Sequence, residues 1–114
     1  MDFEYKIEIK NKVIIASLKG ELIEKHQAGS LIDELAAMVN QSNRLVLDMK
    51  KLKYLNSVGL SVMINILSKF RSAGGEVVVC CLSKKVKELF VITKLNSVFT
   101  VKENMDQALD SFID

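Results

Sequence analysis

The residue with the clearest chemical potential in this chain is Ser57, in the short sequence NSVGL at residues 56–60. It follows an apolar stretch that predicts a strand and precedes one with helical periodicity, so it falls at the start of a helix. There, Asn56 or Ser57 can cap the helix by accepting a backbone N–H, which contributes about 1 kcal/mol. Alternatively, the Ser57 hydroxyl is exposed, and the positive end of the helix dipole favours an added phosphate. Residue types alone leave both interpretations open.

A third role for Ser57, as a catalytic nucleophile, finds little support in the sequence. The first glycine of a G-x-S-x-G elbow is missing, and a nucleophilic serine needs a positioned base. The single histidine, His26, stands at the start of a predicted helix with no acidic partner apparent from the sequence. We therefore expect a protein without catalytic residues.

The two cysteines, Cys80 and Cys81, are adjacent in the sequence EVVVCCL. This spacing suits neither a zinc site nor a redox C-x-x-C pair, so we expect buried, reduced thiols. The sequence also lacks a P-loop, a G-x-G-x-x-G motif and a cluster of histidines and carboxylates. We predict no metal site and no cofactor.

The elements around Ser57 alternate between strand-like and helix-like patterns. The predicted strands are 5–10, 13–20, 44–49, 76–82 and 97–101, and the predicted helices are 24–40, 58–75, 84–94 and 104–114. This order, ββαβαβαβα, calls for an α/β fold with a mixed, mostly parallel sheet of about five strands and about four helices. The length fits a single domain, residues 1–114.

The helix after Ser57 is amphipathic, which divides its residues between the core and the surface. We predict that Leu60, Met63, Ile64 and Leu67 pack on the sheet. Ser61, Asn65 and Ser68 then face outward and, with Val58, form a candidate surface for docking a partner.

Composition excludes several classes of protein. Apolar residues make up 49% and charged residues 26% of the 114-residue chain, which is typical of a soluble globular protein. The net charge of +2 is too small to indicate nucleic-acid binding. No apolar run is long enough for membrane insertion, and the N-terminus does not resemble a secretory signal, so we expect a cytoplasmic protein.

Four markers in this order resemble the STAS domain of bacterial anti-sigma factor antagonists. They are Gly20-Glu21-Leu22 after the second strand, the NSVGL segment, the Ala73–Glu76 sequence AGGE, and the helix pattern Ser83, Val86, Leu89 and Phe90. The resemblance covers nearly the whole chain. It implies a non-catalytic protein that binds an anti-sigma factor, itself a serine kinase of the GHKL ATPase type, and so frees a sigma factor. It also implies that Ser57 accepts a phosphate that ends this binding, and that a PP2C-type phosphatase removes it.

This chain departs from the family pattern beside the acceptor. The family's usual aspartate is Asn56, and its second serine or threonine is Val58. The carboxylate often found after G-E-L is replaced by Ile23, although Glu24 follows at once. STAS modules also occur as accessory subunits, for example beside the ATPase of an ABC-type transporter, and these departures keep that alternative open.

Several lysines are predicted to lie at the same edge of the sheet as Ser57. Ser83, Lys84 and Lys85 begin the helix after the neighbouring strand, so they share the carboxyl edge of the sheet with Ser57. We predict that some of these lysines, or Lys53, lie near Ser57 and offset a phosphate or contact an acidic partner; solvated lysines are the alternative. The predicted partner-binding residues are Asn56, Val58, Gly59, Ser61, Asn65, Ser68, Glu21, Ile23, Glu24, Lys53, Ser83, Lys84 and Lys85.

Overall fold

The computed structural model describes residues 3–113. Its strands are β1 (Phe3–Lys10), β2 (Val13–Leu22), β3 (Arg44–Leu55), β4 (Glu76–Cys80) and β5 (Thr100–Lys102). Its α-helices are α1 (Gly29–Met38), α2 (Ser57–Ser72), α3 (Lys84–Ile92) and α4 (Met105–Asp110). Two 3₁₀ turns, Lys25–Ala28 and Leu95–Ser97, precede α1 and β5. The predicted order of five strands and four helices is confirmed.

The five strands form one mixed sheet in the spatial order β1-β2-β3-β4-β5. A two-residue turn joins β1 to β2, and both of its residues, Asn11 and Lys12, have positive φ, which matches the twist of an antiparallel hairpin. The pairs β2–β3, β3–β4 and β4–β5 are parallel. The carboxyl ends of β2, β3 and β4 therefore lie at the same edge of the sheet.

Each face of the sheet has its own apolar core. One face packs against α1, α2 and α3, and it takes alternate strand residues such as Leu45, Leu47, Val77 and Val79. The core on the opposite face is smaller, and α4 packs against it through the buried Ala108. Strand β4 contributes to both cores, as its continuous apolar sequence predicts for a parallel strand covered on both sides.

Strand β3 is longer than its apolar start indicates. The prediction ended it at residue 49, but the strand continues to Leu55 through the polar sequence KKLKYL. Leu52 and Leu55 stay buried in this extension, while Lys51 and Lys53 are exposed. The extra residues pair with β2 across two register shifts, so pairing with a neighbour sustains a strand that hydrophobicity alone does not indicate.

The last predicted strand, residues 97–101, was wrong in extent. A 3₁₀ turn occupies Leu95–Ser97, and β5 begins only at Thr100. Leu95 and Phe99 are both buried, and the Phe99 ring lies 5.9 Å from that of Phe90 in α3. The turn thus anchors these apolar side chains in the core before the strand begins.

Other element boundaries also shift by a few residues. Residues 25–28 of the predicted helix 24–40 form the 3₁₀ turn, β4 ends at Cys80 rather than at residue 82, and α4 ends at Asp110, whereas the prediction extended it to residue 114, which lies outside the described residues. None of the helices within residues 3–113 has the length and hydrophobicity needed to cross a membrane.

Candidate docking and phosphorylation site

Asn56 is the cap of α2, which settles one of the two roles left open for Ser57. The Asn56 Oδ1 atom accepts hydrogen bonds from the backbone N–H groups of Val58, at 3.0 Å, and Gly59, at 3.2 Å. The Asn56 side-chain amide donates in turn to the carbonyl oxygen of Ile23, at 3.1 Å. Asn56 therefore satisfies two of the free N–H groups at the helix start and ties α2 to the end of β2.

Ser57 therefore does not act as the N-cap of α2. It is the first residue of α2 and is exposed, and its hydroxyl has no hydrogen-bond partner among residues 3–113. Because Asn56 already binds two N–H groups, the helix dipole rather than free donors favours negative charge here. The geometry thus presents a free hydroxyl at the carboxyl edge of the sheet.

The end of β2 is held in place by a residue that sequence reasoning missed, Gln27. Its Oε1 atom accepts hydrogen bonds from the N–H groups of Ile23 and Glu24, and its Nε2 atom donates to the carbonyl oxygen of Glu21. This side chain connects the three predicted residues 21, 23 and 24 into one compact turn. The sequence signal was a glutamine three residues after Glu24, at the position of a capping box.

Gly59 allows α2 to approach the ends of β2 and β3. A Cβ atom at this position would lie 2.5 Å from the Leu22 carbonyl oxygen and 2.8 Å from the Leu55 Cβ atom. Real Cβ atoms essentially never make contacts this short, so a glycine is required here for close packing. Gly59 is buried and lets the start of α2, which carries Ser57, lie close to the ends of β2 and β3.

The buried face of α2 differs from the prediction. Its buried residues are Gly59, Val62, Met63, Ile66, Leu67 and Phe70. The prediction that Ile64 packs on the sheet is wrong, because α2 turns Val62 and Ile66 toward the sheet and leaves Ile64 44% exposed. Leu60 is half-buried against the core, and Met63 and Leu67 are buried as predicted.

The outward positions of α2 form a groove with α1. Ser61, Asn65 and Ser68 are exposed, as predicted, and they line this groove together with Ile64, Ala36 and Val39. We call the exposed residues Ser57, Ser61, Ile64, Asn65 and Ser68 the α2 outer face. Ile64, which the sequence had assigned to the core, is the apolar residue at the centre of the α2 outer face. Its serine and asparagine neighbours are small, so the Ile64 side chain is accessible to solvent.

The predicted lysines occupy separate places along this edge. Lys53 and Ser83 line one cleft, together with Lys19, Gly20 and Lys51. Ser83 also caps α3, since its Oγ atom accepts a hydrogen bond from the Val86 N–H at 3.2 Å. Lys84 is exposed on α3.

Lys85 reaches β3 through an aromatic ring. Its Nζ atom lies 4.9 Å from the centre of the Tyr54 ring, within the range of a cation–π interaction. Tyr54 stands three residues before Ser57 and pairs with Glu21 in the sheet. Within residues 3–113, none of Lys53, Lys84 and Lys85 lies within 4.0 Å of a carboxylate. Their positive charges therefore stay available at this edge, and their proximity to Ser57 remains a prediction.

His26 does have an acidic partner, contrary to the impression from the sequence. Its Nδ1 atom lies 3.1 Å from a carboxylate oxygen of Glu24, and both side chains are exposed. The two residues form a surface pair. Ser57 has no hydrogen bond to this histidine, so no nucleophile–base pair is formed.

The thiols of Cys80 and Cys81 lie at the end of β4, on the sheet face covered by α4. Cys80 is buried and Cys81 is half-buried, and neither forms a disulfide. Burial is the main cause that raises the pKa of both thiols, and the nearby Asp48 carboxylate raises it further. Both therefore stay protonated at neutral pH.

Comparison with known proteins places this architecture in a family. The family model of the STAS domain matches residues 4–108 of this chain. The Bordetella bronchiseptica protein BtrV, provisionally named an anti-sigma factor antagonist, is 36% identical over 101 residues, covering 88% of this chain and 86% of that protein. The chain belongs to the STAS domain family.

Two further similarities agree with this assignment. The anti-sigma F factor antagonist of Paenibacillus polymyxa is 28% identical over 113 residues, covering 96% of this chain and 94% of that protein. The crystal structure of an anti-sigma factor antagonist from Mycobacterium paratuberculosis matches with a TM-score of 0.85 and 24% identity, over 99% of this chain and 96% of that one. The latter similarity confirms the fold.

Proposed function

We propose that this protein is an anti-sigma factor antagonist, a regulatory binding protein rather than an enzyme. In its unphosphorylated form it binds an anti-sigma factor in the cytoplasm and so releases a sigma factor. The names of the relatives support this function. The observation that carries it is local: Asn56 caps α2, which leaves the Ser57 hydroxyl exposed and unbonded in the segment that resembles the family's phosphate acceptor.

The α2 outer face is the surface on which the partner docks. It begins at Ser57 and continues along one side of the helix past Ser61 to Ser68, with Ile64 at its centre. An exposed isoleucine with small polar neighbours is suited to burial against a partner, and Lys69 in the same groove is the one long charged side chain that would have to be ordered on binding. Val58 and the Glu21–Glu24 turn border this surface at the helix start.

Phosphorylation of Ser57 switches this docking off. A serine kinase of the GHKL type transfers the γ-phosphoryl group of ATP to the Ser57 Oγ atom, which loses its proton, and ADP leaves. The product carries about −1.5 to −2 charges at the edge of a surface of neutral side chains. A partner that buries the hydroxyl would have to desolvate this charge, so the affinity falls. A PP2C-type phosphatase restores the hydroxyl by hydrolysis.

Asn56 changes the electrostatics of this switch relative to the family pattern. An aspartate would place a second negative charge next to the phosphoserine, whereas Asn56 provides the same capping oxygen without charge. With no charge on Asn56, the phosphate on Ser57 lies next to the positive end of the α2 dipole, which stabilises its negative charge. We infer that the phosphorylated form of this chain tolerates its added charge better than a form with aspartate at this position.

The binding step can be tested with purified anti-sigma factors from the source genome. Affinity is measured by calorimetry for the unmodified protein, for Ser57→Ala and for Ser57→Glu. We expect Ser57→Ala to bind within a few-fold of the unmodified protein and Ser57→Glu to bind at least about 10-fold more weakly. The control is Asn96→Asp, which adds a charge at an exposed position at the opposite edge of the sheet. Equal affinities for Ser57→Glu and Asn96→Asp would overturn the docking proposal.

A further inference from the structure

A second cluster of chemically capable side chains lies on the sheet face opposite to α2. It begins where β4 ends. Side chains alternate between faces along a strand, so adjacent cysteines normally point apart. Cys81, however, has a φ of 64°, in the left-handed region, directly after the last strand residue, Cys80. This change of backbone direction breaks the alternation and brings the two sulfur atoms to 3.3 Å from each other.

The neighbouring strand adds a third donor. Asp48 of β3 is the direct partner of Cys80 in the parallel pairing of β3 with β4. A carboxylate oxygen of Asp48 and the two sulfur atoms all lie within 4.8 Å of one another. The carboxylate is held in place because its Oδ1 atom accepts a hydrogen bond from the Lys50 N–H at 3.0 Å.

A disulfide is a poor use of this pair. Adjacent Cα atoms are about 3.8 Å apart across a trans peptide, whereas disulfides usually join Cα atoms about 4.4–6.8 Å apart. A bond between Cys80 and Cys81 would therefore be strained. Chelation of an ion does not impose this constraint, since each sulfur only has to reach a common centre.

We propose that Cys80, Cys81 and Asp48 form a binding site for a thiophilic divalent metal ion of the Zn²⁺ class. Two thiolates and one carboxylate are a donor set that such an ion accepts in tetrahedral geometry, with water in the fourth position. The ion replaces the two thiol protons, which pass to solvent.

The distances are compatible with this assignment after a small adjustment. Zn–S bonds of about 2.3 Å at a tetrahedral angle place two sulfur atoms about 3.8 Å apart. The sulfur atoms here would have to separate by roughly 0.5 Å, which rotation of the half-buried Cys81 side chain can supply. Cys81 and Asp48 are both half-buried, so an ion and a water molecule can reach the cluster from solvent. Cys80 is the fully buried member of the cluster.

This site does not include Ser57, and it joins β3 to β4 on the sheet face opposite to α2. Bound metal would cross-link two adjacent strands, so we expect Zn²⁺ to raise the thermal stability of the folded chain.

The test uses reduced full-length protein and Zn²⁺ alone, in competition with a chromophoric chelator. Cys81→Ser and Asp48→Asn are chosen because both residues are half-buried and both replacements are nearly isosteric; circular dichroism checks their folding. The matched control is His26→Gln, since His26 and Glu24 form an exposed pair of potential metal donors outside this cluster. We expect one equivalent of Zn²⁺ per chain, affinity reduced at least about 10-fold by Cys81→Ser and by Asp48→Asn, and no change for His26→Gln.

Each other result overturns the proposal. Absence of binding by the unmodified protein contradicts the site, and so does binding that His26→Gln abolishes. Loss of binding in Cys81→Ser with full retention in Asp48→Asn contradicts the three-donor assignment. A parallel thermal denaturation series should show a Zn²⁺-dependent rise in melting temperature for the unmodified protein that is absent in Cys81→Ser.

Discussion

The Asn56 side-chain amide donates a hydrogen bond to the carbonyl oxygen of Ile23 across 3.1 Å, joining the start of α2 to the end of β2. The same side chain caps α2 through its oxygen. The two halves of one amide therefore perform two functions at the carboxyl edge of the sheet. An aspartate, which the family pattern has here, can perform only the second.

Replacement of Asn56 separates these two functions. Asn56→Ala removes the cap and leaves the Ile23 carbonyl oxygen without its donor, so we expect unfolding free energy to fall by about 1–2 kcal/mol. Asn56→Asp keeps the capping oxygen, and the positive end of the helix dipole stabilises its charge, but it cannot donate to the Ile23 carbonyl oxygen. Its stability should therefore lie between those of Asn56→Ala and the unmodified protein. Urea denaturation measures both. Asn65→Ala, at an exposed position of α2, is the matched control.

The glycines at positions 59 and 29 should respond in opposite directions to alanine. Gly59→Ala forces a methyl group against the Leu22 carbonyl oxygen and Leu55, so we expect a loss of about 2 kcal/mol in unfolding free energy. Gly29→Ala, in the first turn of α1, meets nothing within 4 Å and should increase stability by about 0.5 kcal/mol. Thermal or urea denaturation checks the pair. Equal effects at the two positions would refute the close packing at Gly59.

The α2 outer face should be sensitive to bulk and charge. Ile64→Arg or Ser61→Arg places a long cation on the proposed docking surface, and we expect anti-sigma factor affinity to fall at least about 10-fold without loss of stability. Both positions are exposed, so folding is not at risk. Asn96→Arg, at the opposite edge of the sheet, serves as control. Affinity that responds only to Asn96→Arg would place the docking surface elsewhere.

The lysines at the start of α3 provide a salt-dependent contribution to partner binding if the partner presents an acidic surface. The combined change of Lys84→Ala and Lys85→Ala should weaken binding several-fold at low ionic strength and much less at high ionic strength, because salt screens exposed charges. Lys10→Ala, at an exposed position at the opposite edge of the sheet, is a control of equal charge type. If affinity at low salt is unchanged, the electrostatic role of these lysines is dropped.

Much of this fold could be predicted from local patterns, and the failures have physical causes. Alternation revealed the β1–β2 hairpin, and the continuous apolar run revealed β4. The second half of β3 escaped notice because its lysines face solvent and only sheet pairing keeps it extended. The face of α2 was misjudged because both Ile64 and Val62 are apolar, and periodicity alone could not tell which one the sheet buries.

The residues of the candidate site were selected from the sequence, which stays a prediction of their role, and only part of their contacts could be foreseen. Ser57 stood out because a motif surrounds it, and Ser83 proved to be the cap of α3. The contact between Tyr54 and Lys85 joins residues that are distant in sequence, so no spacing signalled it. Gln27 bonds to nearby residues, and its one sequence signal was the capping-box position three residues after Glu24. Asp48 likewise meets the cysteines only through the pairing of β3 with β4, more than thirty residues along the chain.

The proposed switch requires Ser57 to be the phosphate acceptor. The most direct measurement incubates the protein with each GHKL-type kinase of the source genome and ATP, then maps any phosphate by mass spectrometry, with Ser57→Ala and a kinase known to be active on its own substrate as controls. We expect one phosphate per chain, located on Ser57 and absent from Ser57→Ala. Modification at another residue, or failure of every active kinase to modify Ser57, would contradict it.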